Sequence, residues 1–360
     1  KELIEHNKFK PINSILTKFN DTLNEIDPNV YLVKHNSKNG QLQRCKIYLN
    51  ECTDYVFSKE NLSNLLEGEL IIDDKVYQYL GRNLNFKNII KQNKYNELKI
   101  KNSTIFFDNG VDIKISQNED IVDVYQNKID SRLYIIGGVL ENLTINYYGK
   151  KITEDSTKNL KNFPINISGL TGCLSLVNLE VRNISINASN SSCEDSLNLI
   201  NVKGRLKDIN IKNSLSDGLD IDFSELSIEN INVSSSKNDC VDFSAGIYEL
   251  KYLNLSNCGD KALSVGEKSF LTLDKIIAED TNIGIASKDS SIVKLKSANF
   301  KKLKTCVAAY NKKQEFNGGF IEIENMECND YYNESEIDQF SKILKKNKTL
   351  WSWGLNKNEF

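Results

Sequence analysis

The feature of this sequence that most constrains its fold is an evenly spaced internal repeat. The stretch SDGLDIDFS begins at Ser216, and related stretches begin at Asn238, Asp260, Asn282 and Lys304. The spacing is constant, since 238 − 216 and each later difference equal 22. A period of this length predicts a coil of parallel strands, in which each rung buries its apolar face only by stacking on its neighbours. We therefore expect a mainly β protein built as a parallel β-helix.

Equivalent positions in the repeat keep their size and polarity, which supports the stacking. Aliphatic residues recur in one register at Leu197, Leu219, Val241, Leu263, Ile285 and Val307. A second aliphatic column is expected at Val233, Leu255 and Ile277, and a column of small residues at Gly218, Cys240, Ala262, Gly284, Cys306 and Cys328. The small column predicts that Cys306 and Cys328 lie on adjacent rungs, within the Cα distance that a disulfide allows.

Three regions are expected along the chain. Residues 1–95 mix helical spacing, as in residues 14–24 and 61–66, with strand-like runs such as VYLVKH, and predict an N-terminal α+β cap or module. Residues 96–330 carry short β-runs broken by Asn, Asp, Ser, Gly and Lys, and form the predicted β-helix. Residues 331–360 are expected to form a C-terminal helical cap and tail.

The C-terminal cap is predicted from a helical pattern between Ser335 and Trp353. Ser335 offers an N-cap, Ile337, Phe340 and Leu344 share one helical face, and lysines follow at the end. An open β-helix end exposes unpaired strand groups, so a cover at each end of the coil is expected.

Charge and hydropathy exclude two classes of partner. The 46 basic and 49 acidic residues give a net charge of −3, which offers no reason to expect nucleic acid binding. The longest apolar runs, such as residues 133–140, are far shorter than the roughly 20 residues of a membrane helix, so no membrane span is expected. The eight cysteines leave the redox compartment open. The sequence also leaves open whether an upstream signal or anchor segment has been removed.

The evenly spaced rungs and the Asn-Asp-Gly corners resemble the right-handed parallel β-helix of the pectin-lyase-like superfamily over residues 96–330. The stretches SDGLDID, NDCVDFSAG and GDKALSVGEKS are similar in order to the Asn-Thr-Asp-Gly, Asp-Asp-Cys and Gly-His-Gly motifs of polygalacturonases. Asn238 and Lys261 stand where that pattern has an acid and a histidine. The chain resembles more closely the uncharacterised β-helix repeat proteins that accompany spore-coat-kinase-like modules, through its GDK…SVGE, IASKD and AYNKK rungs.

Stacking of the rungs places carboxylates in columns about 4.8 Å apart. Asp195, Asp217 and Asp239 fall in one column with Lys261 next, while Asp220 and Asp242 share another. Oxygen ligands at this density suit Ca²⁺, so the candidate metal ligands are Asp195, Asp217, Asp220, Asp239 and Asp242, and no other cofactor is expected. The alternative is that the acids cap corners through hydrogen bonds to the backbone, or form a solvated face.

Three mechanisms remain open for this face. In the first, Ca²⁺ neutralises a uronate and Lys261 removes a proton, giving β-elimination. In the second, Asp217 and Asp239 act as acid and base in glycoside hydrolysis. In the third, the face only binds a glycan. The candidate substrate-binding residues are Asp220, Asp242, Lys288, Tyr310 and Lys312. The only histidines, His6 and His35, lie outside the predicted β-helix, which excludes a Ser-His-Asp arrangement there.

The expected function is recognition of an acidic polysaccharide or cell-surface glycan on the outer face of residues 195–315. The sequence leaves open whether a bond is cleaved, by a polysaccharide lyase or a glycoside hydrolase. The alternatives are a non-catalytic structural or adhesion module and a degenerate hydrolase of the polygalacturonase type. A function of this kind predicts an extracytoplasmic location: secreted, periplasmic or at the cell surface. The oligomeric state stays open.

Overall fold

The computed structural model describes residues 95–129, 131–151, 170–346 and 348–350, together with five strands between residues 30 and 78. The chain separates into two compact units, Lys1–Phe86 and Lys87–Phe360. The described strands of the first unit form an antiparallel sheet in the order β3-β2-β1-β4-β5. They are β1 (Val30–His35), β2 (Leu42–Lys46), β3 (Cys52–Asp54), β4 (Glu69–Ile72) and β5 (Lys75–Gln78).

Strand β1 confirms the VYLVKH prediction. The helices predicted at residues 14–24 and 61–66 lie outside the described residues.

The second unit is a β-solenoid of about 9 turns, each about 22 residues long. Its first strands, up to β10, pair partly antiparallel, and from β10 to β23 successive turns pair in parallel. The strands are β6 (Asn96–Ile100), β7 (Ser103–Phe107), β8 (Val111–Ile115), β9 (Ile121–Gln126), β10 (Leu133–Ile136), β11 (Val139–Tyr148), β12 (Gly172–Val177), β13 (Glu180–Ser191), β14 (Asp195–Ile200), β15 (Lys203–Ser214), β16 (Asp217–Asp222), β17 (Glu225–Ser236), β18 (Val241–Ser244), β19 (Ile247–Gly266), β20 (Phe270–Lys288), β21 (Ile292–Tyr310), β22 (Phe320–Ile337), β23 (Lys342–Lys345) and β24 (Lys348–Leu350).

The predicted aliphatic column is confirmed. Leu197 pairs with Leu219, and the register continues in parallel through Val241, Leu263, Ile285 and Val307. All six side chains are fully buried. Because side chains alternate across a strand, the residue that follows each of these six in the sequence points away from this column.

The second predicted column is wrong at its last member. Leu255 pairs with Ala278, one position further along the chain than the regular repeat gives, so Ile277 faces the other way. The added position belongs to the turn before Phe270, where Glu267 and Lys268 adopt left-handed φ values of 52° and 61°.

The register predicted for Cys328 is also wrong, although its proximity to Cys306 is confirmed. Cys328 pairs with Phe300 instead, because the loop 311–319 lengthens that turn beyond the regular repeat. Cys306 and Cys328 nevertheless form a disulfide with a Cα separation of 6.4 Å. Two further disulfides link neighbouring parts of the coil, at Cys173–Cys193 and Cys240–Cys258.

The helix predicted between Ser335 and Trp353 is also wrong over the residues that the structure describes. Most of the described residues there belong to strands β22, β23 and β24, and residues 338–341 connect the first two. Ile343 pairs directly with Ile321 of the preceding turn, and both side chains are fully buried. Stacking on an existing edge satisfies backbone groups and buries apolar surface at once, which outweighs a local helical spacing. No helix occurs in the part of the chain that the structure describes.

Asparagine serves the solenoid in two ways, which accounts for the Asn-rich sequence. Many corner residues have left-handed φ values, which Asn tolerates better than most residues. Examples are Asn142, Asn178, Asn183, Asn190, Asn201, Asn213 and Asn257. Other asparagines form a ladder in which each amide donates to the preceding turn at 2.8 to 2.9 Å, through Asn146, Asn187, Asn210 and Asn232.

We expect Val241→Asp to destabilise the solenoid severely. Val241 is fully buried in the central column, so the change removes apolar contacts and buries a carboxylate without a partner. Chemical denaturation should show a loss of more than about 4 kcal/mol or no folded protein. Lys237→Asp, at an exposed position of the same turn, is the control and should stay near wild-type stability. A Val241→Asp protein of unchanged stability would contradict the buried register.

Candidate functional site

The carboxylates collect on one outward side of strands β14, β16 and β18, which we call the acidic face. It contains Asp195, Asn198, Asp217, Asp220, Asp222, Asp239 and Asp242. Asp195 pairs with Asp217, and Asp220 pairs with Asn198 on one side and Asp242 on the other, as predicted. Asp239 is linked to Asp217 on the next turn by a backbone hydrogen bond. The acids therefore lie on successive turns at the spacing of neighbouring strands, about 4.8 Å.

The corner acids hold the turns together. The backbone N–H of Asp239 donates to Asp217 Oδ1 at 2.8 Å, and the backbone N–H of Lys261 donates to Asp239 Oδ1 at 3.0 Å. Asn238 Nδ2 also donates to Asp217 Oδ1, at 2.7 Å. The corner-capping role that the sequence left as an alternative is therefore present at Asp217 and Asp239. Any chemistry at these two residues must use their other oxygen.

The central column has a different character. Asn198 Nδ2 donates to Asp220 Oδ2 at 3.2 Å. Four other polar atoms of this column are buried and have no hydrogen-bond partner: Ser175 Oγ, Asn198 Oδ1, Asp242 Oδ1 and Ser264 Oγ. Buried polar atoms are rarely left unpaired, so this row is the part of the acidic face where a bound group would find free hydrogen-bonding atoms.

Burial raises the pKa of several of these acids, so they keep a proton to a higher pH than an exposed aspartate does. Desolvation, followed by the repulsion of Asp239, raises the pKa of Asp217 to about 6. Desolvation and then the charges of Asp242 and Glu267 raise the pKa of Asp222 to about 7. The pKa values of Asp195 and Asp220 are also raised well above the ordinary value, mainly by burial. The face therefore holds carboxylic acid and carboxylate groups side by side near neutral pH.

Lys261 is held in its charged form. Its Nζ lies 3.4 Å from Asp239 Oδ1 and also pairs with Asp260. Burial lowers the pKa of Lys261, but the charge of Asp239 and the hydrogen bond to Asp260 outweigh it, so the pKa is raised overall. A lysine that stays protonated cannot remove a proton from a substrate at neutral pH.

Lys288 crosses a glycine to reach the acids. A Cβ at Gly266 would lie 3.4 Å from Lys288 Cε, so the lysine stem lies against the bare backbone there. Its Nζ ends 3.8 Å from Asp242 Oδ2, and only 5% of the side chain is exposed. Gly266 therefore gives the lysine room to form an ion pair with the central column.

Tyr310 joins the same group of charges. It pairs in register with Lys288 on the next turn. Burial raises its pKa to about 12, although the charge of Lys261 lowers it, so the phenol keeps its proton and can donate a hydrogen bond. The charges of Asp260, Asp239 and Asp242 also raise its pKa. Tyr310 therefore lies near these acids and both lysines, at one end of the acidic face.

Lys312 is less closely tied to this group. Its side chain is exposed, and the residue is fixed through its backbone N–H, which donates to Asp289 Oδ1 at 2.8 Å. Asp222 was not among the predicted site residues, although its period-2 spacing from Asp220 on β16 places both side chains on the outward face. In the structure it is hydrogen-bonded to Asp220.

The described residues contain no group of three or more His, Cys, Asp or Glu side chains arranged to hold a metal ion. The five proposed calcium ligands are spread along two columns, and two of them cap backbone N–H groups. Calcium binding by Asp195, Asp217, Asp220, Asp239 and Asp242 thus stays a prediction.

No protein-family model, curated protein or solved structure matches this chain. None of the described residues forms a helix with the length and apolar character that crossing a membrane requires.

We expect the Asp222→Asn protein to be more stable than wild type at pH 8 and equally stable at pH 4. The pKa of Asp222 is about 7 when folded and about 4 when unfolded, so the folded protein holds an extra proton between these pH values. Its stability therefore falls as pH rises through that window. Asparagine mimics the protonated acid and removes this loss.

Urea denaturation across pH 4 to 8 measures the effect. Ile200→Val, which changes the neighbouring position of the same column without a carboxyl group, serves as the control. An unchanged pH slope in Asp222→Asn would show that Asp222 ionises normally.

Proposed function

We propose that the acidic face binds a glycan and hydrolyses a glycosidic bond with carboxyl groups as acid and base. The observation that carries this proposal is the side-by-side arrangement of Asp220 and Asp222, both with raised pKa, next to Asp242, which pairs with Lys288. Groups whose environments push their ionisation apart are the usual basis of acid and base roles in one site.

The proposed chemistry needs one proton donor and one carboxylate. Asp222, with a pKa of about 7, retains a proton near neutral pH and protonates the leaving glycosidic oxygen. Asp242, whose Oδ2 lies 3.8 Å from Lys288 Nζ, is the partner that assists the attacking water. Asp220 lies between them on the same face and is hydrogen-bonded to Asp222. Asp217 and Asp239 hold the corners that position this group.

Hydrolysis is favoured over β-elimination because of Lys261. Elimination from a uronate requires a neutral base, and the two aspartates beside Lys261 raise its pKa. Instead of removing a proton, Lys261 can attract an acidic group of the glycan through its positive charge.

The charges of the face support a glycan that carries an acidic group at one end of the site. Lys261, Lys288 and the Tyr310 hydroxyl offer cations and a donor there. The protonated carboxyl groups on the earlier turns suit neutral sugar hydroxyls. An acidic polysaccharide or cell-surface glycan is the partner class that fits both ends.

We also propose a more specific type of β-helix and a location for the protein. The parallel turns of about 22 residues are the observation that supports assignment to the right-handed, pectin-lyase-like type. The three disulfides found among the described residues support an extracytoplasmic location, since such bonds persist in oxidising compartments.

A non-catalytic binding module is the second candidate. It is favoured by the capping bonds of Asp217 and Asp239 and by Asn238, which replaces an acid of the polygalacturonase-like pattern. In that case the acidic face binds the glycan without breaking a bond.

We expect incubation with a panel of neutral and uronate-containing polysaccharides to release new reducing ends without the ultraviolet absorbance of a conjugated double bond. Asp222→Asn should lower the rate by about 100-fold or more, because it removes the general acid and keeps the side-chain shape. Asp274→Asn, at an exposed acid paired with Lys296, is the matched control and should keep full activity.

The alternatives give different results. Products with that absorbance which disappear in Lys261→Ala would establish elimination. Measurable glycan binding without any product would favour the binding module, and an absence of binding would contradict both proposals.

A further inference from the structure

An exposed apolar stripe runs down another side of the solenoid. Ile247, Phe270, Ile292 and Phe320 occupy one column, each paired in register with the next. Ile247 is 54% exposed, and Phe270 and Ile292 are each 37% exposed. A contiguous row of large apolar side chains on a protein surface usually marks an interaction site.

The fold itself does not require apolar residues in this column. On the preceding turns the same column holds Glu180, Lys203 and Glu225, all exposed, and the turn after the stripe holds Lys342, also exposed. The column therefore changes from charged to apolar for four turns and back again. Charged residues fit the same backbone position, so the stripe has a cause other than packing within one chain.

We propose that the stripe is the contact between two copies of this chain, packed face to face with their solenoid axes antiparallel. A twofold axis between Phe270 and Ile292 sets Phe270 against Ile292 of the other copy, and Ile247 against Phe320. The same operation sets Glu225 of one copy against Lys342 of the other, at both ends of the stripe. The stripe thus sets apolar residues against apolar residues and opposite charges against each other, as an isologous interface requires.

The opposite arrangement, with parallel axes, is disfavoured by the same residues. It would place Glu225 against its own copy and Lys342 against its own copy, two like-charge contacts. The neighbouring column, two residues after the stripe on each strand, contains Glu249 and Glu322. In the antiparallel arrangement Glu249 lies near Glu322 of the other copy. Lys294 lies 3.7 Å from Glu322 within each chain and offsets that charge.

The size of the stripe sets the expected strength. From Glu225 to Lys342 the column spans five strand spacings, about 24 Å. With side chains of ordinary width, this area falls below the roughly 800 Å² per partner of standard stable interfaces. We therefore expect a reversible, concentration-dependent dimer.

The first test is sedimentation equilibrium of the full chain over a wide concentration range. The mass should rise from 41.0 kDa towards twice that value. Ile292→Glu should keep the protein monomeric, because it buries two unpaired carboxylates beside the twofold axis. Ile121→Glu, the same kind of change at a 42% exposed position outside the stripe, is the matched control and should leave association unchanged.

The second test distinguishes this geometry from general stickiness of the surface. Glu225→Lys and Lys342→Glu should each weaken the dimer, because each places like charges opposite one another. The double variant restores opposite charges and should recover association. Circular dichroism checks that each variant is folded. A mass of 41.0 kDa at every concentration, association that Ile292→Glu leaves intact, or a double variant as weak as the single ones would each overturn the proposal.

Discussion

Parallel pairing between successive turns of the solenoid is the constraint on which the rest of the second unit depends. Each turn finishes its backbone hydrogen bonds and buries its apolar side chains only on the turns beside it. Because a slip by a single position would invert every side chain, the fully buried column through Val241 also fixes which residues face outward. The acids, the lysines and the apolar stripe are therefore ordered in space by the same register.

The acidic face shows how a stacked fold can change the chemistry of ordinary side chains. A single outward aspartate on a strand would be solvated, whereas a column of them meets like charges on both sides. Burial adds to that repulsion and raises the pKa of Asp217 to about 6 and that of Asp222 to about 7, so Asp222 retains a proton near neutral pH. At one end of the acidic face the lysines offset this repulsion between carboxylates. There Lys288 lies against Gly266 and reaches Asp242.

The repeat predicted the aliphatic column from Leu197 to Val307, on strands β14 to β21, because each turn repeats the same contacts at that column. It failed at Ile277 and Cys328, where one added position and the loop 311–319 change the step without changing the local pattern. The helical spacing after Ser335 failed because Ile343 stacks on Ile321, a contact that a local pattern cannot reveal. The acids of the site could be found from sequence, but the protonation of Lys261 could not, since it depends on Asp239 and Asp260 in space.

The central claim is that a carboxyl group of the acidic face keeps its proton near neutral pH. Carbon-13 NMR of protein labelled at the aspartate carboxyl carbons measures this directly as pH is raised. The account predicts a resonance that titrates near pH 7 and is missing from Asp222→Asn. A spectrum in which every aspartate of the folded protein titrates near pH 4 would contradict it.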